Sequence, residues 1–145
     1  MNIKLAKDDQ QRTACFDLIH ELRPHLTLES FLNTVHRMEV EHQYNLAYLS
    51  DNGVKAVAGF RMGEWLHRGR YLEIEELITC DKQRSKGYGG KLFDWLNQYA
   101  AEHDCRQVRL VSGVSREDAH RFYLKKGMTF EAKYFSMNTR NKQID

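Results

Sequence analysis

The stretch Arg84-Ser85-Lys86-Gly87-Tyr88-Gly89-Gly90-Lys91-Leu92 constrains the fold more than any other part of the chain. It follows an apolar-rich run, Tyr71 to Thr79, that predicts a strand. It precedes Leu92, Phe93, Leu96 and Ala100, whose three- and four-residue spacing predicts one face of a helix. A glycine-rich turn between a strand and a helix N-terminus gathers backbone N–H groups without intrahelical partners, and the helix dipole adds partial positive charge. Both favour a bound anion, typically phosphate. Gly87, Gly89 and Gly90 let a ligand approach the backbone closely, and Arg84, Lys86 and Lys91 add charge around the turn. A P-loop would need Gly-x-x-x-x-Gly-Lys followed by Ser or Thr, which is absent, and the glycine spacing does not make a dinucleotide fingerprint.

The 145 residues suit one domain, 1–145, with a real core. Net charge is +2 with both signs mixed, so nucleic acid is not expected as a partner. No apolar run is long enough to cross a bilayer, and Met1 to Asp8 lacks the apolar stretch of a signal peptide. Cys15, Cys80 and Cys105 have no metal-type spacing and point to reduced thiols in a cytoplasmic protein. The histidines His20, His25, His36 and His42 form no ligand pattern, so no metal is expected.

In chain order, residues 2–6 predict a strand. Asp8 or Asp9 can cap a helix bearing Cys15, Phe16, Ile19 and Leu22, which Arg23-Pro24 stops. Thr27 can cap a second helix running to about residue 42, with Leu28, Phe31, Leu32 and Val35 on one face. Tyr44 to Leu49 and Val54 to about Trp65 form a hairpin about Asn52-Gly53. After the strand 71–79 and the glycine turn, a long helix runs to about Glu102. A strand follows over 107–112, then a helix from Arg116 to Lys126 with a Ser115/Asp118 capping box and a Gly127 stop, then a strand from Met128 to Met137.

The spacing Arg84-x-x-Gly87-x-Gly89 resembles the pyrophosphate-binding signature of the GNAT superfamily of N-acetyltransferases. The segment Ala119-His120-Arg121-Phe122-Tyr123-Leu124-Lys125-Lys126-Gly127-Met128 resembles the family's second coenzyme A motif, with Ala119, Phe122, Tyr123, Gly127 and Met128 in register. The run Ile74-Glu75-Glu76-Leu77-Ile78-Thr79 is similar to the family's acidic fourth strand. The element order matches a GNAT fold along essentially the whole chain, as in compact bacterial members called histone-acetyltransferase-like. The resemblance implies an α/β (α+β) fold with a mixed, mostly antiparallel, splayed sheet of about six strands and about four helices. The sheet opens between strands 71–79 and 107–112.

It also implies an acetyl-CoA-dependent N-acetyltransferase that moves acetyl to a primary amine of a small molecule or protein by direct attack on the thioester. A non-catalytic acyl-CoA-binding or regulatory module with the same fold is the alternative. Backbone N–H groups of Ser85, Lys86, Gly87, Tyr88, Gly89 and Gly90, with Arg84, would hold the pyrophosphate. Leu77, Ile78 and Thr79 would pair with the pantetheine arm like an added strand. Arg116 stands where some members carry an asparagine toward that arm. Tyr123 is the implied general acid toward the thiolate. Adjacent strand residues point to opposite faces, so only one of Glu75 and Glu76 is expected to face the cleft. Either is a candidate base, as against solvated carboxylates paired with Arg61, Arg68 or Arg70. Glu73 is a weaker candidate base, His120 could serve as base or proton shuttle, and Ser112 could bond the cofactor or substrate. An exposed edge of the final strand could pair with a second subunit, making a homodimer.

Overall fold

A computed structural model describes residues 1–80 and 86–140. They divide into two compact units, Met1–Leu110 and a second from Val111 onward.

The first unit contains β1 (Asn2–Leu5), α1 (Asp9–Leu22), α2 (Leu28–Glu41), β2 (Tyr44–Ser50), β3 (Val54–Trp65), β4 (Gly69–Thr79), α3 (Tyr88–Glu102) and β5 (Gln107–Leu110). Both early helices start at the expected caps. The Asp8 carboxylate accepts from the Gln11 N–H at 2.8 Å, and Thr27 forms a reciprocal capping box with Ser30. Each satisfies donors that the first turn leaves orphaned. Pro24 follows Arg23, which is the C-cap of α1 and donates its N–H to Ile19 O. The hairpin bend has positive φ at Asn52 and Gly53, the conformation that makes Asn-Gly a turn signal.

The strands form one sheet in the order β1-β2-β3-β4-β5, antiparallel through β4, with β4 and β5 parallel. Residues facing each other across a ladder share a face, so register sorts the side chains. Tyr44, Leu46, Tyr48 and Val57 join Cys15, Ile19, Phe31 and Val35 in one buried cluster, so α1 and α2 cover that face. Ala56, Ala58, Phe60, Leu72 and Ile74 are buried on the other face. There α3 presents Leu92, Phe93 and Leu96, and the Tyr99 ring meets Phe60 edge-on with centroids 5.3 Å apart. The mixed sheet and four helices agree with the fold implied by the sequence.

Register slips once in the β3–β4 ladder. Gly59 faces Glu76 and Phe60 faces Ile74, leaving Glu75 as an extra residue on β4. The parallel ladder with β5 ends beside it, at the pair Ile74 and Leu110. A bulge bends its strand and interrupts pairing. Past Ile74, the outer edge of β4 has no partner strand among the described residues.

The second unit holds α4 (Glu117–Lys125). Its N-cap is Arg116 with no side-chain capping bond, so the expected Ser115/Asp118 box does not form; Arg121 takes the Asp118 carboxylate instead. Gly127 ends the helix with φ +99°, and Met128 N–H returns to Tyr123 O at 3.0 Å. The expected last strand over 128–137 is not formed, and the described sheet has five strands rather than about six. Strand propensity is present there, but a strand exists only where a neighbour accepts its backbone groups, and none of the described ladders includes these residues.

Phe60 has no exposed surface and anchors α3 to the sheet. Phe60→Ala is expected to cost about 3–5 kcal/mol, read as a lower urea midpoint.

Candidate active site

The bulge at Glu75 decides where the acidic side chains of β4 go. Glu73 faces Arg61 across the ladder and Glu76 faces Gly59, and Gly59 and Arg61 are two apart on β3. Glu73 and Glu76 therefore share the α1/α2 face. Glu75 joins them, since both its carboxylate oxygens meet the Arg61 guanidinium. The expectation that Glu75 and Glu76 point to opposite faces is corrected here: it assumed unbroken alternation, which an inserted residue resets.

The three carboxylates differ in their partners. Glu75 is held by the two-pronged pair with Arg61. Glu73 accepts from Arg109 Nε at 2.7 Å, and that guanidinium lies 3.6 Å over the Tyr71 ring and 4.3 Å from the Trp65 ring centroid. Glu76 is the most enclosed. Its Oε1 accepts from the Tyr44 hydroxyl at 2.7 Å, and its Oε2 faces Arg23 Nη2 at 3.3 Å. The same nitrogen donates to Glu75 O at 3.1 Å. Burial raises the Glu76 carboxyl above its ordinary value, partly offset by the bond from Tyr44 and the charge of Arg23. Tyr44 is pushed well above the ordinary phenol value by burial and by the Glu76 charge beside it.

A cavity of about 180 Å³ opens over Glu76 and Tyr44, walled by Ile19, Arg23, Leu26 and Phe31. It has an apolar wall, a mostly buried carboxylate and a guanidinium, a combination suited to a small molecule carrying an ammonium group. A larger hollow of about 480 Å³ is lined by Asp8, Gln11 and Tyr48 among others.

On the other face, α3 begins at Gly87, which has φ +77° and provides no side-chain cap. No described side chain caps the first-turn N–H groups, which lie beside Lys86. A Cβ on Gly89 would lie 3.0 Å from Thr79 Cγ2, so the helix start packs directly against the end of β4. The Tyr88 hydroxyl donates to Asp51 at 2.6 Å and ties this turn to the β2–β3 hairpin. Arg84 and Ser85 lie outside the described residues. Leu77, Ile78 and Thr79 are half-buried and pair with β3 on one side, with no described partner strand on the other, and Gly90 lies in the first turn of α3.

Tyr123, Arg116 and His120 belong to the second unit. Tyr123 is partly buried, with its phenol raised by that burial and lowered in part by Arg116, and Phe122 packs edge-on against it. The Oγ of Ser112 is buried without a hydrogen-bond partner among the described residues.

Sequence reasoning passed over Tyr44, Arg23 and Gly59. Tyr44 looked like an ordinary strand aromatic. Gly59 carried a usable signal, because a glycine inside a strand pattern marks a bulge or a close approach.

Residues 9–128 match the Acetyltransferase (GNAT) family, across both units. The chain belongs to that family and is an N-acetyltransferase. It is 32% identical over 137 residues to the uncharacterized N-acetyltransferase YhdJ of Bacillus subtilis (strain 168), covering 93% of this chain and 96% of that one. It is also 32% identical over 85 residues to an aminoalkylphosphonate N-acetyltransferase of Salmonella typhimurium, spanning 58% of this chain and 54% of that enzyme. A solved GNAT family acetyltransferase of Staphylococcus aureus superposes with a TM-score of 0.78 at 16% identity, covering 94% and 97% of the two chains.

A carboxyl with its folded value raised above 4.5 favours folding when protonated. That contribution is full below 4.5 and is lost as pH rises through the raised value, so at neutral pH the buried charge costs stability. Glu76→Gln is therefore expected to raise the Tm at pH 7 by a few degrees, on the order of 3 °C. Calorimetry should show the gap closing as pH falls through the raised value toward 4.5.

Proposed function

We propose that this N-acetyltransferase uses acetyl-CoA to acetylate a primary amine, with Glu76 as the base. The observation that carries the reading is the mostly buried Glu76 carboxylate on the α1/α2 face of a strand whose outer edge has no partner strand beyond Ile74 among the described residues.

The residues fit the donor. The uncapped start of α3, with Lys86, Gly87, Tyr88, Gly89 and Gly90, suits a pyrophosphate, and Arg84 and Ser85 would complete that turn. The edge at Leu77, Ile78 and Thr79 suits an extended, amide-bearing arm, toward which Arg116 would also contribute. The amine nitrogen attacks the thioester carbonyl carbon. A C–N bond forms, the C–S bond breaks, the excess proton on nitrogen passes to Glu76 directly or through water, and Tyr123 protonates the departing sulfur. Glu76 is preferred to Glu75 because burial raises its carboxyl and its arginine contact is long at 3.3 Å, whereas one guanidinium, Arg61, grips both oxygens of Glu75.

The reading takes residues 1–145 as one N-acetyltransferase domain, supported by a family match that spans both units. It places the protein in the cytoplasm with Cys15, Cys80 and Cys105 reduced, needing neither metal nor nucleic acid. It also takes the working form as a homodimer, supported by the exposed Phe130, Tyr134, Phe135 and Met137.

Acetyl-CoA should bind saturably in calorimetry, and Gly89→Trp, which drives a ring toward Thr79, should abolish binding. Release of free coenzyme A should then be followed over a panel of aminoalkylphosphonates, arylalkylamines, polyamines and lysine peptides. On the best acceptor, Glu76→Gln is expected to lower kcat by about 10²–10⁴-fold and Tyr123→Phe by about 10–10²-fold, with acetyl-CoA affinity kept. The acid limb of kcat/KM should lie above the ordinary carboxylate range, as the raised Glu76 requires. Full activity in Glu76→Gln would remove the base assignment.

A further inference from the structure

We propose that Tyr44 is a positioning residue for acetyl transfer, aiming the Glu76 carboxylate from a space that Gly59 keeps open; this rests on Glu76 being the base. The Tyr44 hydroxyl lies 2.7 Å from Glu76 Oε1. Both side chains meet over Gly59, which faces Glu76 across the β3–β4 ladder. A Cβ at position 59 would stand 1.9 Å from Tyr44 Oη and 2.2 Å from Glu76 Oε1. Any side chain there would separate the phenol from the carboxylate. The glycine itself has no positive φ, so backbone conformation does not demand it and the space does.

The rest of the arrangement has the form of a support. Tyr44 is buried among α1 and α2 residues, which fix its ring. Its bond engages Oε1 alone, so the carboxylate cannot rotate freely about its last torsion. That leaves Oε2 to the half-exposed Arg23, and both residues line the cavity. The groups facing Glu76 are Tyr44 from β2, Arg23 from the end of α1 and Glu75 on its own strand. Arg61 from β3 neutralises Glu75. Of these, the Tyr44 hydroxyl is the sole neutral donor, and it stays protonated through the working range because burial and the Glu76 charge both raise it.

The test needs one readout that requires no turnover and one that does. The side-chain carboxyl carbons are labelled, and Glu76 is assigned by its loss in Glu76→Gln. Its titration is then followed by NMR in the wild type and in Tyr44→Phe, which keeps the ring and removes the hydroxyl. Losing a donor to the carboxylate disfavours its charged form, so the Glu76 titration is expected to move to higher pH. In parallel, the pH profile of methylamine acetylation, with the smallest primary amine as probe, is measured for both proteins. Its acid limb should move the same way, with kcat down by on the order of tenfold and acetyl-CoA affinity unchanged. A purely structural tyrosine would leave the limb in place. If Tyr44→Phe does not fold, the wild type suffices: the Tyr44 hydroxyl proton, protected by burial, should shift along the Glu76 titration curve. An unmoved carboxyl titration, or a hydroxyl proton blind to it, overturns the role of Tyr44 and leaves the transferase reading standing. A moved titration with an unmoved acid limb overturns Glu76 as the base and this proposal with it.

Discussion

One extra residue in β4 sets the chemistry of this sheet. Without the slip at Glu75, Glu76 would face α3 and the apolar packing of Phe60 and Leu92. With it, Glu73, Glu75 and Glu76 all lie on the α1/α2 face. Three carboxylates so close would repel strongly at the effective dielectric of a half-buried surface. The fold answers with a separate arginine for each, drawn from three different elements: Arg109 from β5, Arg61 from β3 and Arg23 from the end of α1. The match is uneven. Glu73 and Glu75 have the closer pairs, while Glu76 has the longest contact and the deepest burial, and that burial raises its carboxyl above the ordinary value.

Much of the scaffold was readable because its signals are local. Asp8 and Thr27 as caps, the Pro24 stop, the Asn52-Gly53 bend and the helix face of Leu92 and Leu96 each depend on residues within a turn or two. The Gly87 turn and the segment around Tyr123 were readable as motifs. The bulge was not, because a slip in register is set by which residues of β3 and β4 pair. Strict alternation then gave the wrong face for one glutamate. Tyr44 was invisible for the same reason: its partner lies 32 residues away. The strand expected over 128–137 failed differently. Its residues favour extended backbone, but an ordered strand is a property of a pair, and none of the described strands is its partner.

The core around Glu76 shows the cost of placing an ionisable group in a packing cluster. Cys15, in the same cluster, has its thiol pushed up to about 12 by burial and so remains an inert packing group. Burial raises Glu76 too, but the Tyr44 hydroxyl and Arg23 act in the opposite direction. The carboxyl thus keeps an accessible charged form while holding a proton better than an exposed glutamate would. A group able to take up a proton and give it back needs both properties.

The two faces of β4 also separate charge. The α3 side carries Lys86 and Lys91 about a helix N-terminus, a field that attracts phosphates and repels an ammonium. The opposite side carries the glutamates, and their arginines leave Glu76 with the weakest ion pair. An anionic donor and a cationic acceptor would therefore be drawn to opposite faces of the same strand. Between the two faces lies the edge of β4 beyond Ile74, where the ladder with β5 ends and no other described strand pairs. The bulge that turns Glu76 toward the α1/α2 face thus lies beside the point where the ladder with β5 ends. A single change of register sets both the face of this carboxylate and the bend of the strand at that edge, so that neither can be altered without disturbing the other.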